Sequence, residues 1–210
     1  MAFIRTLLLI CLLGLPLVPP PAESNGFPAF GRDTVLVYKS EIEDKVANFV
    51  IRIAQFRPDR FIEWEDAKTQ GTIFLPAASL ESGKSFLNSK LFEGGVDTVG
   101  KNATTIWLST RMFRDIVTKN KAKVGVDGID TWVTLEGKDA IPVEVNRSMV
   151  SIPAIRTLDE RQSERWFCDS EENPVLLKHS IRHYRQTLTS VTTDRPNTLR
   201  WIKGKKIPHP

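Results

Sequence analysis

The chain has 210 residues and a formal net charge of +4, with 29 Lys and Arg against 25 Asp and Glu, so it is basic but only mildly. An apolar content of 41% excludes a disordered chain. Two cysteines, Cys11 and Cys168, are too few for a disulfide-stapled scaffold.

The amino terminus reads as a cleavable secretory signal. Met1 to Arg5 carries one positive charge, and Leu7 to Leu17 is almost wholly apolar, broken by Gly14 and Pro16. Pro16 to Pro21 then leads into the small-residue stretch Ala22-Glu23-Ser24. The apolar run is too short to cross about 30 Å of hydrocarbon as a helix. Cleavage after Ser24 is expected, which assigns 1–24 to a signal peptide and exports the mature chain to the periplasm or the extracellular space. Cys11 does not fit a lipid-attachment box, because bulky Leu9 and Ile10 precede it. Loss of the leader leaves Cys168 as the sole cysteine, so no internal disulfide is expected.

Residues 25–33 form a Gly- and Pro-bearing lead-in. Strand patterns begin at Thr34 to Lys39. In Lys45 to Phe56, Phe49, Ile51 and Ile53 alternate with Arg52 and Gln55, the period of a half-buried strand. Arg57-Pro58-Asp59 reads as a turn, followed by strands over Arg60 to Glu65 and Thr69 to Leu75, with Gly71 as a candidate bulge. Short links between consecutive strands favour an antiparallel meander.

Pro76 to Leu87 has helical character, and Phe92 to Asn102 reads as a Gly-rich loop. Ser109 to Thr118 predicts a second helix capped by Ser109, with Leu108, Met112, Phe113, Ile116 and Val117 on one stripe. Strands resume at Lys121 to Val126 and Thr131 to Glu136. Gly137-Lys138-Asp139 reads as a turn into Ile141 to Val145, and Met149 to Ile155 as extended. Thr157 to Glu164 reads as a charged surface excursion. Arg165 to Asp169, Val175 to Ile181 and Tyr184 to Thr192 close the pattern, and residues 194–210 form a basic, Pro-containing tail. The sum is roughly nine or ten strands and two short helices in one domain over 34–193. The expected class is α+β, mainly β: a curved antiparallel sheet or half-barrel with the two helices packed on its concave face.

Candidate chemistry is sparse, and no catalytic, cofactor or metal residue is assigned. His179 and His183 are four apart, but on a strand that separates them by about 13 Å, too far for one ion. They read as solvated polar positions. Cys168 with His179 is a conceivable thiol and base pair, although Cys168 also fits a small buried side chain. Glu41, Glu43 and Asp44, then Asp159 and Glu160, then Asp169, Glu171 and Glu172 read as charged turn positions. Lys119, Lys121 and Lys123 form one basic patch, and Arg200, Lys203, Lys205 and Lys206 beside Trp201 another. Export argues against nucleic acid there and leaves membrane-surface contact through the tail open. Asn102-Ala103-Thr104 and Asn146-Arg147-Ser148 match the N-glycosylation acceptor pattern.

The segment Trp166-Phe167-Cys168-Asp169-Ser170-Glu171-Glu172-Asn173-Pro174-Val175-Leu176-Leu177-Lys178 runs from a strand through an acidic Asn-Pro turn into an apolar strand. With Trp107-Leu108-Ser109-Thr110-Arg111-Met112-Phe113 and Lys119 to Val126, it resembles an uncharacterised β-rich domain of exported bacterial proteins. That group is similar to lipoprotein-carrier-like half-barrel envelope proteins, and the resemblance extends diffusely over Val35 to Thr193. It implies an apolar cavity and a binding role, and carries over no catalytic residue. The expected function is therefore an exported envelope protein that binds a lipidic or apolar ligand without catalysis. The alternatives are an envelope scaffold or protein-interaction module, and a hydrolase using Cys168.

Overall fold

A computed structural model of the chain describes residues 27–88, 95–100 and 102–193. The predicted leader and basic tail lie outside them. Thirteen strands and two helices occur among the described residues. The protein is mainly β, as the alternating patterns predict, and its sheet curves far enough to close a partial ring.

The first group is an antiparallel meander: β1 (Val35–Ile42), β2 (Lys45–Gln55), β3 (Arg60–Glu65) and β4 (Gln70–Leu75). Its register places Leu36 opposite Ile51, Ile53 opposite Ile62 and Ile62 opposite Ile73, and all of these are fully buried. Burying each such side chain contributes on the order of 2 kcal/mol. Gly71 is not a bulge. It pairs in continuous register with Trp64, whose indole is fully buried.

The middle elements are shorter than the sequence implies. Helix α1 spans only Ala77–Ser82, and the chain then turns into β5 (Ser85–Phe86). Gly83 ends the helix, because its N–H reaches the Ser79 carbonyl where an added Cβ would lie 2.6 Å from that oxygen. Within the predicted loop 92–102, the backbone of β6 (Gly95–Thr98) pairs in parallel with β4. The short β7 (Ala103–Thr104) pairs with β5. Helix α2 (Thr110–Lys119) follows the capping logic closely: the Ser109 hydroxyl accepts from the Met112 N–H at 3.0 Å. Met112, Phe113 and Ile116 are its buried stripe.

The second group is β8 (Lys121–Val126), β9 (Ile129–Val145), β10 (Ser148–Asp159), β11 (Glu164–Cys168), β12 (Leu176–Ile181) and β13 (Tyr184–Thr192). The predicted turn at Gly137-Lys138-Asp139 does not form. β9 is continuous through it, and a register shift opposite Arg156/Thr157 leaves Glu136, next to the glycine, as the extra residue of a bulge. The predicted surface excursion at Thr157 to Glu164 is confined to the exposed turn Glu160 to Gln162. β10 continues to Asp159, and Thr157, Asp159 and Ser163 are buried, because a compact turn there satisfies their polar atoms internally.

β1 pairs with β13, which joins the two meanders into one sheet ordered β6-β4-β3-β2-β1-β13-β12-β11-β10-β9-β8-β5-β7. A parallel pairing of β13 with the end of β9, Ser190 to Glu144 and Val191 to Val145, closes β9 to β13 into a ring. One core cluster gathers Tyr38, Trp64, Trp107, Val143 and Leu188. A second places α2 over Val124, Val133, Ile155 and Phe167, so the interior of the curved sheet is packed rather than hollow.

Candidate functional site

Antiparallel pairing carries one row, polar on four strands and closed by an alanine on the fifth, across the sheet. Arg165 on β11 lies opposite His179 on β12, His179 opposite Gln186 on β13, Gln186 opposite Ser40 on β1, and Ser40 opposite Ala47 on β2. Paired residues share a face, so this row faces one way. Two residues nearer the strand ends, Ile181, Tyr184 and Ile42 form a parallel apolar row. Together with Phe49, and with Asn88, Asp127 and the 159–163 turn from across the gap, the rows line a cavity of about 490 Å³. That volume lies in the range of small-molecule sites.

The cavity floor is a buried polar network. The Asp159 carboxylate is fully buried. It accepts from the N–H groups of Arg161 and Ser163 at 2.9 and 3.0 Å and from Arg165 Nη1 at 3.0 Å. Burial pushes its carboxyl pKa up, but the Ser163 N–H and the Arg165 guanidinium outweigh that and hold it below the usual value. Arg165 Nε has no hydrogen-bond partner although it is buried. Gln186 is buried at the same floor.

His179 is not the solvated strand position that its sequence spacing implied: it is 3% exposed. Its Nδ1 accepts from the Asn88 amide at 2.8 Å, which places the ring proton on Nε2, 2.8 Å from Ser163 Oγ. The Tyr184 ring packs edge-on against it, with centroids 5.3 Å apart. Burial, reinforced by the charge of Arg165, pushes its pKa down to about 3, so the imidazole is neutral across the physiological range. In this tautomer Nε2 donates to Ser163 and cannot take its proton. That arrangement links Asn88, His179 and Ser163 in one hydrogen-bonded chain at the cavity floor. His183 is exposed in the β12–β13 turn.

Cys168 is free and buried, at the end of β11 beside a second cavity of about 490 Å³ lined by Phe27, Phe30 and Phe56. Burial, then the charge of Asp169, pushes its thiol pKa up to about 12, opposite to what a reactive thiol requires. The register sets His179 opposite Arg165, three residues back along β11 from Cys168, about 10 Å away. The structure does not bring this pair together.

The acidic clusters separate. Glu41 meets Lys39 and Arg185, Asp169 meets Lys138, and Glu171 meets Arg114. Asp159 alone is a core residue. Among the described residues no group of three His, Cys, Asp or Glu is placed to hold a metal ion. Asn146 of the second acceptor pattern is tied to Thr193 by two hydrogen bonds of 2.8 and 2.9 Å. No helix among the described residues is long and apolar enough to cross a membrane.

Sequence reasoning missed Asp159, Ser163, Arg165 and Gln186 as members of one site. The available signal was the alternation of β12 and β13, where His179 and Gln186 share the parity of Ile181, Tyr184 and Leu188. No family model, curated protein or solved structure matches the chain.

Proposed function

We propose that the protein binds one amphiphilic ligand in the cavity between β1, β2, β12, β13 and the 159–163 turn, without chemistry on it. One observation carries this reading: a buried hydrogen-bonding floor, its Asp159 and Arg165 charges paired with each other, lies under an apolar wall in a cavity of about 490 Å³. Ile42, Phe49, Ile181 and Tyr184 suit an acyl or other apolar body. The unpartnered Arg165 Nε and the Gln186 amide suit a head group that accepts hydrogen bonds, since a buried donor left unmade costs about 1–3 kcal/mol. The leader and the resemblance to half-barrel envelope proteins support an exported setting, in which such a protein would carry or sense a lipidic molecule.

The proposal moves the expected ligand. The space between the two meanders is filled by Tyr38, Trp64 and Trp107, so the ligand belongs beside that core rather than within it. Ala47, exposed at the rim, provides the test. Ala47→Trp fills the mouth without entering the core, and a medium-chain fatty acid titrated into the folded protein should bind the parent chain and not the variant. Equal binding to both would place the ligand elsewhere.

A further inference from the structure

On the opposite side of the β8–β9 hairpin from the second core, alternation along β8 turns Ala122, Val124 and Val126 inward and Lys121, Lys123 and Gly125 outward. Pairing then puts Trp132 opposite Lys123 and Asp130 opposite Gly125 on that outer face. The outer face of β8, the flank of α2 and the start of β5 enclose a groove of about 500 Å³. Gly125 lets β5 pair closely along this edge: a Cβ there would lie 2.6 Å from Ser85 Oγ.

The groove is strongly cationic. Lys84, Arg111, Lys119, Lys121 and Lys123 line it against only Asp115 and Asp130. Asp115 is engaged by Lys119 at 2.7 Å and Arg111 at 3.8 Å, and Asp130 by Lys123 at 3.0 Å. Among the described residues, Lys84 and Lys121 sit in no ion pair. Lys121 Nζ instead lies 4.4 Å from the Trp132 ring centre, and Trp132 is 41% exposed, an unusual state for so large an apolar side chain.

We propose that this groove binds a segment of an acidic polysaccharide, with a sugar ring against the Trp132 indole and its anionic groups on Lys84, Lys121 and Lys123. The excess positive charge favours an anionic partner. Cations lining a concavity fit a chain that enters it, whereas a flat bilayer would meet cations on a protruding surface. The exposed indole beside them matches the apolar face of a sugar ring. The site is separate from the amphiphile cavity and stands or falls independently of it.

Polygalacturonate fragments, neutral dextran, a single-stranded oligonucleotide and anionic phosphatidylglycerol vesicles, each titrated against the full chain, test the proposal. Polygalacturonate should bind with an affinity that falls as salt rises, and dextran should not bind. The triple variant Lys84→Gln, Lys121→Gln, Lys123→Gln should weaken polygalacturonate binding by roughly tenfold. Trp132→Ala should weaken it several-fold while leaving inorganic polyphosphate binding unchanged. Neutralising Arg200, Lys203, Lys205 and Lys206 in the tail should leave it intact. Tighter binding of the oligonucleotide or the vesicles, loss of binding only on tail neutralisation, or no effect of the groove variants would each overturn the assignment.

Discussion

At His179 burial and the neighbouring guanidinium act in the same direction, and the consequence is a pH dependence with a fixed sign. The folded protein holds this imidazole neutral down to about pH 3, while the unfolded chain protonates it near its ordinary value of 6.5. Between those limits the unfolded state binds the extra proton, so the stabilising contribution is complete above about pH 6.5 and is lost as pH falls. The slope from one such group is at most about 1.4 kcal/mol per pH unit. Urea unfolding at pH 7 and pH 5 should show lower stability at pH 5, and His179→Gln should flatten that difference. Asp159 makes a second case. Asp159→Asn removes the hydrogen-bonded counter-charge of buried Arg165, leaving only the more distant Asp127, and should cost about 3–5 kcal/mol, whereas the double change Asp159→Asn, Arg165→Met should recover part of the loss. Cys168 should ignore a thiol reagent until the protein is denatured, because its protonated, buried sulfur is a poor nucleophile. Fast labelling of the native protein would contradict that and revive the thiol-hydrolase alternative.

At the scale of elements, helix α2 shows what local sequence can specify. Ser109 caps it, and its hydroxyl also donates to the Gly83 carbonyl at 2.6 Å, fastening the helix start to the end of α1. Ser109→Ala removes both bonds and should cost about 1–2 kcal/mol in urea unfolding. A loss of only a few tenths would show that the helix is held by its apolar stripe alone. This helix and the first meander were legible because cap, stripe and period of two are written within a few residues. The continuous β9 was not: Gly137-Lys138-Asp139 has turn composition, and only pairing with β10 across a bulge keeps the strand intact. For the same reason Thr157 to Glu164 reads as surface. Its charges are satisfied by Arg165 and by turn amides, partners set by tertiary structure rather than by composition. The polar floor was illegible as a site, since its members come from β1, β10, β11, β12 and β13 and meet only through register.

At the scale of the whole molecule, two meanders joined through β1 and β13 fill their shared interior with aromatic and branched side chains. The predicted half-barrel therefore has the right curvature, but a packed centre. The open space lies at the strand ends, where the buried row from Arg165 to Gln186 floors a cavity whose rim reaches the exposed Ala47. The most direct measurement is native mass spectrometry of the purified protein alongside its Ala47→Trp variant. The account predicts one bound amphiphile per parent chain, absent from the variant. A parent chain that carries no adduct and binds no fatty acid below about 0.1 mM would contradict it.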